Sequence, residues 1–173
     1  MSTPDELKGM KVVAEATMIE VAEKLGMDIL SVPDEELYGA MEQGVVDAYF
    51  NPFMQTAAIG LGEVTKYFID HPFWYGSLGV IMNLDKWNQI PPDEQALITK
   101  VWFETVDKMA PEYEGIITGS RQKLIDMGVE PITFSPDDAK RYLDIPFHRS
   151  YDIIQDIPEY GPQLKEMVGN YYQ

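Results

Sequence analysis

The sequence has no cysteine and only two histidines, and this scarcity removes several kinds of chemistry. Without cysteine there are no disulfides, no thiolate metal sites and no thiol nucleophile. Of the two histidines, His71 follows an acidic residue, Asp70, whereas His148 lies far along the chain. Adjacent side chains on an extended strand point to opposite faces, so Asp70 and His71 do not chelate one metal ion together. We predict a structural or pocket-lining role for His71, and neither a metal nor a cofactor.

Basic residues are also few. The chain has 13 Lys and Arg against 29 Asp and Glu, which gives a formal net charge of -16. Such a surface repels phosphate backbones and anionic lipids, which disfavours binding to nucleic acid or to a membrane surface. Long apolar runs are lacking as well, because glycine and serine interrupt the longest one, from Phe73 to Met82.

Motifs that are typical of enzymes are absent from the sequence. There is no G-x-S-x-G, no phosphate-binding loop and no G-x-G-x-x-G. Paired carboxylates do occur, at 35–36 and 137–138, but both pairs stand where helices are predicted to begin. The helix dipole favours acidic side chains at that end, so we predict helix capping for these pairs and no enzymatic activity.

Apolar residues recur with spacings that alternate between those of strands and helices. The predicted strands are 10–14, 27–32, 45–50, 64–69, 77–83 and 129–134, and the predicted helices are 18–25, 34–43, 52–59 and a long one, 92–127. We expect Pro111 to kink the long helix and Gly128 to end it. Beyond residue 134, repeated prolines predict only short helices. This order of elements indicates an α/β fold with a mostly parallel sheet.

Aromatic residues gather where the predicted strands end, at Tyr49, Phe50, Phe53, Phe73, Trp74 and Tyr75. In open α/β sheets, ligands bind in the crevice beyond the carboxyl ends of the strands. Ordinary core packing accounts for any single member of this group as well as a pocket does. Asn51 lies between a predicted strand and a proline. A role in the turn and a contact with a ligand are equally consistent with this position. The group favours a pocket without establishing one.

Several short motifs follow one another in a recognisable order. They are L-K-G-M-K-V at 7–12, E-L-Y-G-A-M-E-Q-G-V-V-D at 36–47, N-P at 51–52, E-V-T-K-Y at 63–67, His71, N-L-D-K-W at 83–87 and I-P-P-D-E-Q at 90–95. Their order and spacing, from Glu6 to Phe134, resemble the DctP-type solute-binding proteins of tripartite ATP-independent (TRAP) transporters.

This resemblance implies a fold and a division of the chain. Members of the family have two α/β lobes of the type II periplasmic-binding-protein kind, with a mostly parallel sheet in each lobe and a long inter-lobe helix. Residues 1–134 are expected to form the second lobe with its hinge strands and spanning helix, and residues 135–173 a helical segment packing on the lobes. We expect a carboxy-terminal portion of such a protein, without the first lobe.

The resemblance also implies a function, partners and a location. The chain is expected to capture a small organic solute, either a carboxylate or an aromatic or apolar acid, and to deliver it to the TRAP membrane permease subunits. Its location is expected to be periplasmic, and from the acidic segment that follows Pro4 we expect no signal peptide within this chain. Without a first lobe, we expect self-association that buries some of Val101, Phe103, Ile116 and Ile117. The alternative is a structural or interaction domain that keeps the fold without ligand binding.

One position departs from the family in a way that bears on the ligand. The family's K-x-R-x-P places an arginine that grips the ligand carboxylate where this chain has Val13, and Glu15 replaces the proline. Either another cation holds a carboxylate, or the ligand is neutral or apolar at this end. The expected ligand-binding residues are Val13, Phe50, Asn51, Phe73, Trp74 and Tyr75.

Overall fold

A computed structural model of the protein describes residues 1–74, 79–155 and 157–169. The strands are β1 (Lys11–Val13), β2 (Asp28–Leu30), β3 (Ala48–Tyr49), β4 (Tyr67–Ile69) and β5 (Glu130–Ile132). The helices are α1 (Ile19–Lys24), α2 (Leu37–Glu42), α3 (Phe53–Ala58), α4 (Leu84–Trp87), α5 (Pro92–Asp126), α6 (Pro136–Gln155) and α7 (Gly161–Gly169). Short 3-10 turns lie at Pro4–Leu7, Asp34–Glu36 and Leu61–Glu63.

The strands form two parallel sheets. In the first, β1 lies between β2 and β3, so that Val12 is opposite Ile29 on one side and Ala48 on the other. In the second, β4 pairs with β5, and Phe68 is opposite Pro131. Parallel neighbours require crossover connections, and α1 and α2 provide them in the first sheet. The predicted α/β class with parallel strand pairing is confirmed.

Alternate residues of β1 face two different cores, as the period of a strand requires. Val12, with no exposed surface, packs in a core with Val21 of α1 and Tyr142 of α6. Its neighbour Val13 packs instead against the core that contains Leu37 of α2. The first sheet is therefore covered by helices on both faces, which is the layering of an α/β fold.

The carboxyl-terminal end of α5 is tied to the rest of the molecule, whereas its larger part is not. Leu124 is buried with Ala57 of α3 and with Val129, the residue before β5. Arg121 makes a bidentate ion pair with Asp70, with Nε 3.0 and 3.2 Å from the two carboxylate oxygens. In contrast, every residue from Ala96 to Gly119 is exposed. The predicted long helix is confirmed, and it continues through Pro111.

Two predictions about elements were wrong. Residues 79–83 form no strand; no neighbouring strand pairs with them, and Ile81 is 96% exposed. The part of that predicted strand at 77–78 lies outside the described residues. The region after 134 does not contain only short helices, because α6 has 20 residues and passes through Pro146. The burial of Tyr142 and its neighbours against the first core outweighs the cost of a proline inside a helix, about 3 kcal/mol.

Candidate functional site

A cavity of about 640 Å³ opens beside the first sheet, and we call it the strand-end cavity. Its lining residues are Val13, Ala14, Glu15, Leu30, Ser31, Val32, Asp34, Glu35, Leu37, Tyr38, Tyr49, Phe50, Asn51, Gln55, Ile59 and Leu61. Three short stretches dominate the list: 13–15 at the end of β1, 30–32 at the end of β2 and 49–51 at the end of β3.

The position of the strand-end cavity follows from the strand order. The chain leaves β1 to form β2 on one side of it and later returns to form β3 on the other. The loops that follow β1 and β3 therefore run in opposite directions and leave a crevice at the carboxyl ends of the strands. Val13 and Tyr49, which are directly opposite in this pair, both line the cavity.

Hydrogen bonds at both ends of β3 fix it against β1. At its start, the Asp47 carboxylate accepts a bond of 2.9 Å from the backbone N–H of Lys11. At its end, the backbone N–H of Phe50 donates to the carbonyl of Val13 at 3.1 Å. The aspartate of the G-V-V-D motif thus positions the strand that carries Phe50 and Asn51, although it lies at the opposite end from the cavity.

Three of the six sequence-predicted site residues line the cavity, and the other three do not share one place. Val13, Phe50 and Asn51 line the strand-end cavity together. Phe73 packs in the first core instead, with its ring centroid 6.1 Å from that of Phe50 and 5.7 Å from that of Tyr142. Trp74 is 47% exposed and is not among the lining residues. The sixth predicted residue, Tyr75, lies outside the described residues.

His71 has the contacts of a structural side chain. Its Nε2 accepts a hydrogen bond of 2.8 Å from the backbone N–H of Phe134, and its ring stacks on that of Phe134 at 5.3 Å between centroids. The bond joins the chain just after β4 to the chain just after β5. Within the described ranges, no three Asp, Glu or His side chains are grouped so that they could hold a metal ion.

Several polar lining residues were not predicted from the sequence. They are Glu15, Ser31, Asp34, Glu35, Tyr38, Tyr49 and Gln55. Tyr49 had been noted only as an aromatic residue, and Glu35 only as a helix cap, which its place in the turn Asp34–Glu36 also permits. A usable signal existed for Glu15 and Asp34, since both follow closely on predicted strands, where loops converge in an α/β sheet.

The two tyrosines of the strand-end cavity have their hydroxyl hydrogens engaged elsewhere. The Thr65 hydroxyl donates to the carbonyl of Leu61 at 2.7 Å, so Tyr49, with its hydroxyl oxygen 2.6 Å from Thr65 Oγ1, is the donor in that pair. The hydroxyl of Tyr38 donates to Glu63 at 3.2 Å. Burial raises the pKa of the Tyr49 phenol above its ordinary value, so the ring stays neutral.

The lining residues carry three carboxylates, Glu15, Asp34 and Glu35, and no lysine, arginine or histidine. No ion pair joins any of the three to a basic side chain in the part of the chain that the structure describes. The cavity is therefore negative, and its walls include the apolar side chains of Val13 and Phe50. This combination suits a small organic molecule.

No helix among the described residues is long and apolar enough to cross a membrane.

Two curated relatives have names that state what they bind. A monocarboxylate 2-oxoacid-binding periplasmic protein of Nostoc sp. (strain PCC 7120) is 24% identical over 156 residues, which are 87% of this chain and 41% of that protein. The 2,3-diketo-L-gulonate-binding periplasmic protein YiaO of Escherichia coli K12 is 26% identical over 174 residues, 95% of this chain and 51% of that protein. The chain thus spans about half the length of these curated relatives.

Solved structures show the same fold. A TRAP periplasmic solute-binding protein of Haemophilus influenzae with bound L-gulonate superposes with a TM-score of 0.78 at 20% identity, covering 98% of this chain and 56% of that one. The ectoine-binding protein of the TeaABC TRAP transporter of Halomonas elongata gives 0.75 at 18% identity, covering 96% and 56%. The family described as bacterial extracellular solute-binding protein, family 7 (DctP), matches residues 1–144. This chain is therefore a member of the DctP family of bacterial extracellular solute-binding proteins.

Proposed function

We propose that this chain binds a small organic solute in the strand-end cavity and serves as part of the periplasmic binding subunit of a TRAP transporter. The observation that carries the proposal is the place of the cavity, at the carboxyl ends of three parallel strands in a member of a solute-binding family. The partners would be the solute and the TRAP membrane permease subunits. Relatives with named ligands are binding proteins for organic acids, which supports a ligand of similar size.

Within this proposal, Val13, Phe50 and Asn51 contact the solute directly. Within the described part of the chain, the Asn51 side chain makes no hydrogen bond, so its carboxamide is free to donate and accept. Phe73 affects the site indirectly, because its ring packs against that of Phe50 and restricts the position of the Phe50 ring. Trp74 and Tyr75 follow Phe73 in the chain and remain proposed ligand contacts.

We also propose the division of the chain that the resemblance implies. Residues 1–134 would be an α/β lobe with its spanning helix, and residues 135–173 a helical segment that packs on it. The contact of Tyr142, in α6, with the core around Val12 supports this arrangement.

The test is a thermal-shift screen of this chain against small organic acids, amines and polyols, followed by calorimetry on each hit. We expect at least one solute to bind, and Asn51→Ala to weaken its binding about tenfold through the loss of hydrogen bonds in the cavity. Asn88→Ala, an equal truncation at an exposed position outside the cavity, should leave binding unchanged. A complete absence of hits, or equal losses in the two variants, would contradict the proposal.

A second candidate function is an interaction domain that keeps the fold without binding a solute. The exposed apolar side chains along α5 favour it, because apolar patches of that extent are uncommon on a surface that stays free. If the chain has this function, the screen finds no solute that binds. Substitution of the exposed apolar residues of α5 then changes the oligomeric state.

A further inference from the structure

We infer that the solute in the strand-end cavity carries a positively charged nitrogen at this side of the site, an inference that rests on the proposed function. The ligand class is an alkylammonium or amidinium compound, either with a second cationic group or with a carboxylate at its other end. Three features of the cavity point to this class: its charge, its supply of hydrogen-bond acceptors and its aromatic rings.

The charge of the cavity comes from carboxylates on separate loops. Glu15 follows β1, and Asp34 and Glu35 lie in the turn after β2. Among the described residues, no positive side chain lines the cavity, and the position where the family has an arginine is taken by Val13. A carboxylate ligand placed here would meet three like charges and no counter-ion, whereas an ammonium group would meet three opposite charges. The net charge of -16 adds to the same preference at longer range.

The side chains of the cavity also offer more hydrogen-bond acceptors than donors. Ionised carboxylates only accept hydrogen bonds. The hydroxyl hydrogens of Tyr38 and Tyr49 are given to Glu63 and Thr65, so neither phenol donates a hydrogen bond to a ligand. The remaining side-chain donors are Ser31, Asn51 and Gln55. Asn51 and Gln55 can also accept hydrogen bonds through their carboxamide oxygens. A ligand rich in N–H donors satisfies this arrangement, whereas a ligand rich in acceptors does not.

Aromatic rings supply the third feature. Tyr38, Tyr49 and Phe50 all line the cavity, and the face of an aromatic ring attracts a cation that lies within about 6 Å of its centre. A bare metal ion does not explain the site, because the carboxylates do not form a metal-binding group among the described residues. An organic cation, which extends over a larger volume, can reach separate carboxylates and lie on a ring.

The experiment compares three probes with the same four-carbon chain and different end groups: 1,4-diaminobutane, 4-aminobutyrate and succinate. Binding of each to the full chain is measured by calorimetry at neutral pH and low salt. We expect 1,4-diaminobutane to bind about tenfold more tightly than succinate, with 4-aminobutyrate between them. The triple variant Glu15→Gln, Asp34→Asn, Glu35→Gln should remove this preference.

A second triple variant, Asp107→Asn, Glu112→Gln, Glu114→Gln, changes the net charge equally but on the exposed face of α5. It should keep the preference for the diamine. Equal losses in both triple variants would mean a general attraction to an acidic surface and would overturn the inference. Tighter binding of succinate, weakened by Asn51→Ala, would overturn the inference while the proposed function stands. Failure of all three probes, together with no hit in the wider screen, would refute both.

Discussion

Position 13 connects the departure from the family motif with the chemistry of the strand-end cavity. Val13 lines the cavity at the end of β1 and brings neither charge nor a hydrogen-bond donor. We expect Val13→Arg to weaken the binding of 1,4-diaminobutane about tenfold, because a guanidinium would repel the ligand and pair with the nearby carboxylates. Val45→Arg, an equal change at an exposed position outside the cavity, should have no such effect. Unchanged or tighter binding of 1,4-diaminobutane by Val13→Arg would contradict the inferred ligand class, and a gain in succinate binding alone would be consistent with it.

His71 allows a test of a structural role for a residue that the family motif includes. Replacing it with alanine removes the acceptor of the buried Phe134 N–H, which costs about 1–3 kcal/mol of unfolding free energy. His148→Ala, at an exposed position, should cost less than about 0.5 kcal/mol. Chemical denaturation of the two variants measures the difference. Equal stabilities would contradict the structural role, and loss of solute binding without loss of stability would instead indicate a pocket role.

Tyr142 makes stability depend on pH in the alkaline range. Burial raises the pKa of this phenol above its ordinary value of about 10, because the charged form is poorly solvated inside the protein. The folded state therefore keeps this proton to a higher pH than the unfolded chain. The contribution to stability is complete below pH 10 and declines as the pH rises above it. We expect Tyr142→Phe to show a smaller fall in melting temperature between pH 9 and pH 11.5 than the unaltered chain, and an equal fall would contradict this.

At the scale of the elements, most of the fold could be predicted because local signals mark it. The predicted start of helix α5 is correct, because Pro92 suits the first helical turn. The predicted end is correct to within one residue, because Gly128, with a φ of 91°, suits the position just after a helix. The strand predicted over 77–83 failed for the described residues because pairing depends on a neighbouring strand, which the local pattern cannot supply. Helix α6 continues through Pro146 because the burial of its residues against the first core outweighs the tendency of proline to end a helix.

The site was less predictable than the elements that build it. Phe50 and Phe73 have the same sequence signal, an aromatic residue near a strand end, and both pack against the first core, yet only Phe50 also lines the cavity. Glu35 had an adequate local explanation as a helix cap, which concealed its place in the cavity. Residues from three separate loops meet only after the strands pair, so their combined negative charge is visible only in three dimensions.

The exposed apolar residues of α5 lead to a prediction about association. Val101, Phe103, Ile116 and Ile117 are all exposed, on a helix about 52 Å long that contacts the rest of the molecule near its carboxyl-terminal end. In the two-lobed fold that the resemblance implies, such a surface packs against the other lobe. We expect copies of this chain to associate through α5, because association removes apolar surface from water.

Light scattering at high protein concentration measures this association. Phe103→Ala with Ile116→Ala should shift the chain towards the monomer, whereas Asp107→Ala with Glu112→Ala, on the same helix, should not. A chain that stays monomeric at high concentration would contradict the prediction.

At the scale of the whole molecule, the fold brings three loops to one edge of a sheet whose opposite faces are covered by helices. The two cores stabilise that edge, the Asp47 contact to Lys11 fixes β3 beside β1, and the cavity opens where the loops diverge. A rigid sheet with a site on its loops is the arrangement expected of a binding protein. We therefore propose the strand-end cavity as the place where a small organic solute binds.

Amide chemical-shift mapping tests that claim most directly. The isotope-labelled chain is titrated separately with 1,4-diaminobutane, 4-aminobutyrate and succinate, and the perturbed backbone amides are located in the structure. We predict saturable shifts for at least one probe, concentrated at residues 13–15, 30–35 and 49–51. Saturation should require about tenfold more probe in Asn51→Ala but not in Asn88→Ala. Shifts concentrated on the exposed part of α5, or no saturable shifts with the three probes or with any hit from the solute screen, would contradict binding in the strand-end cavity.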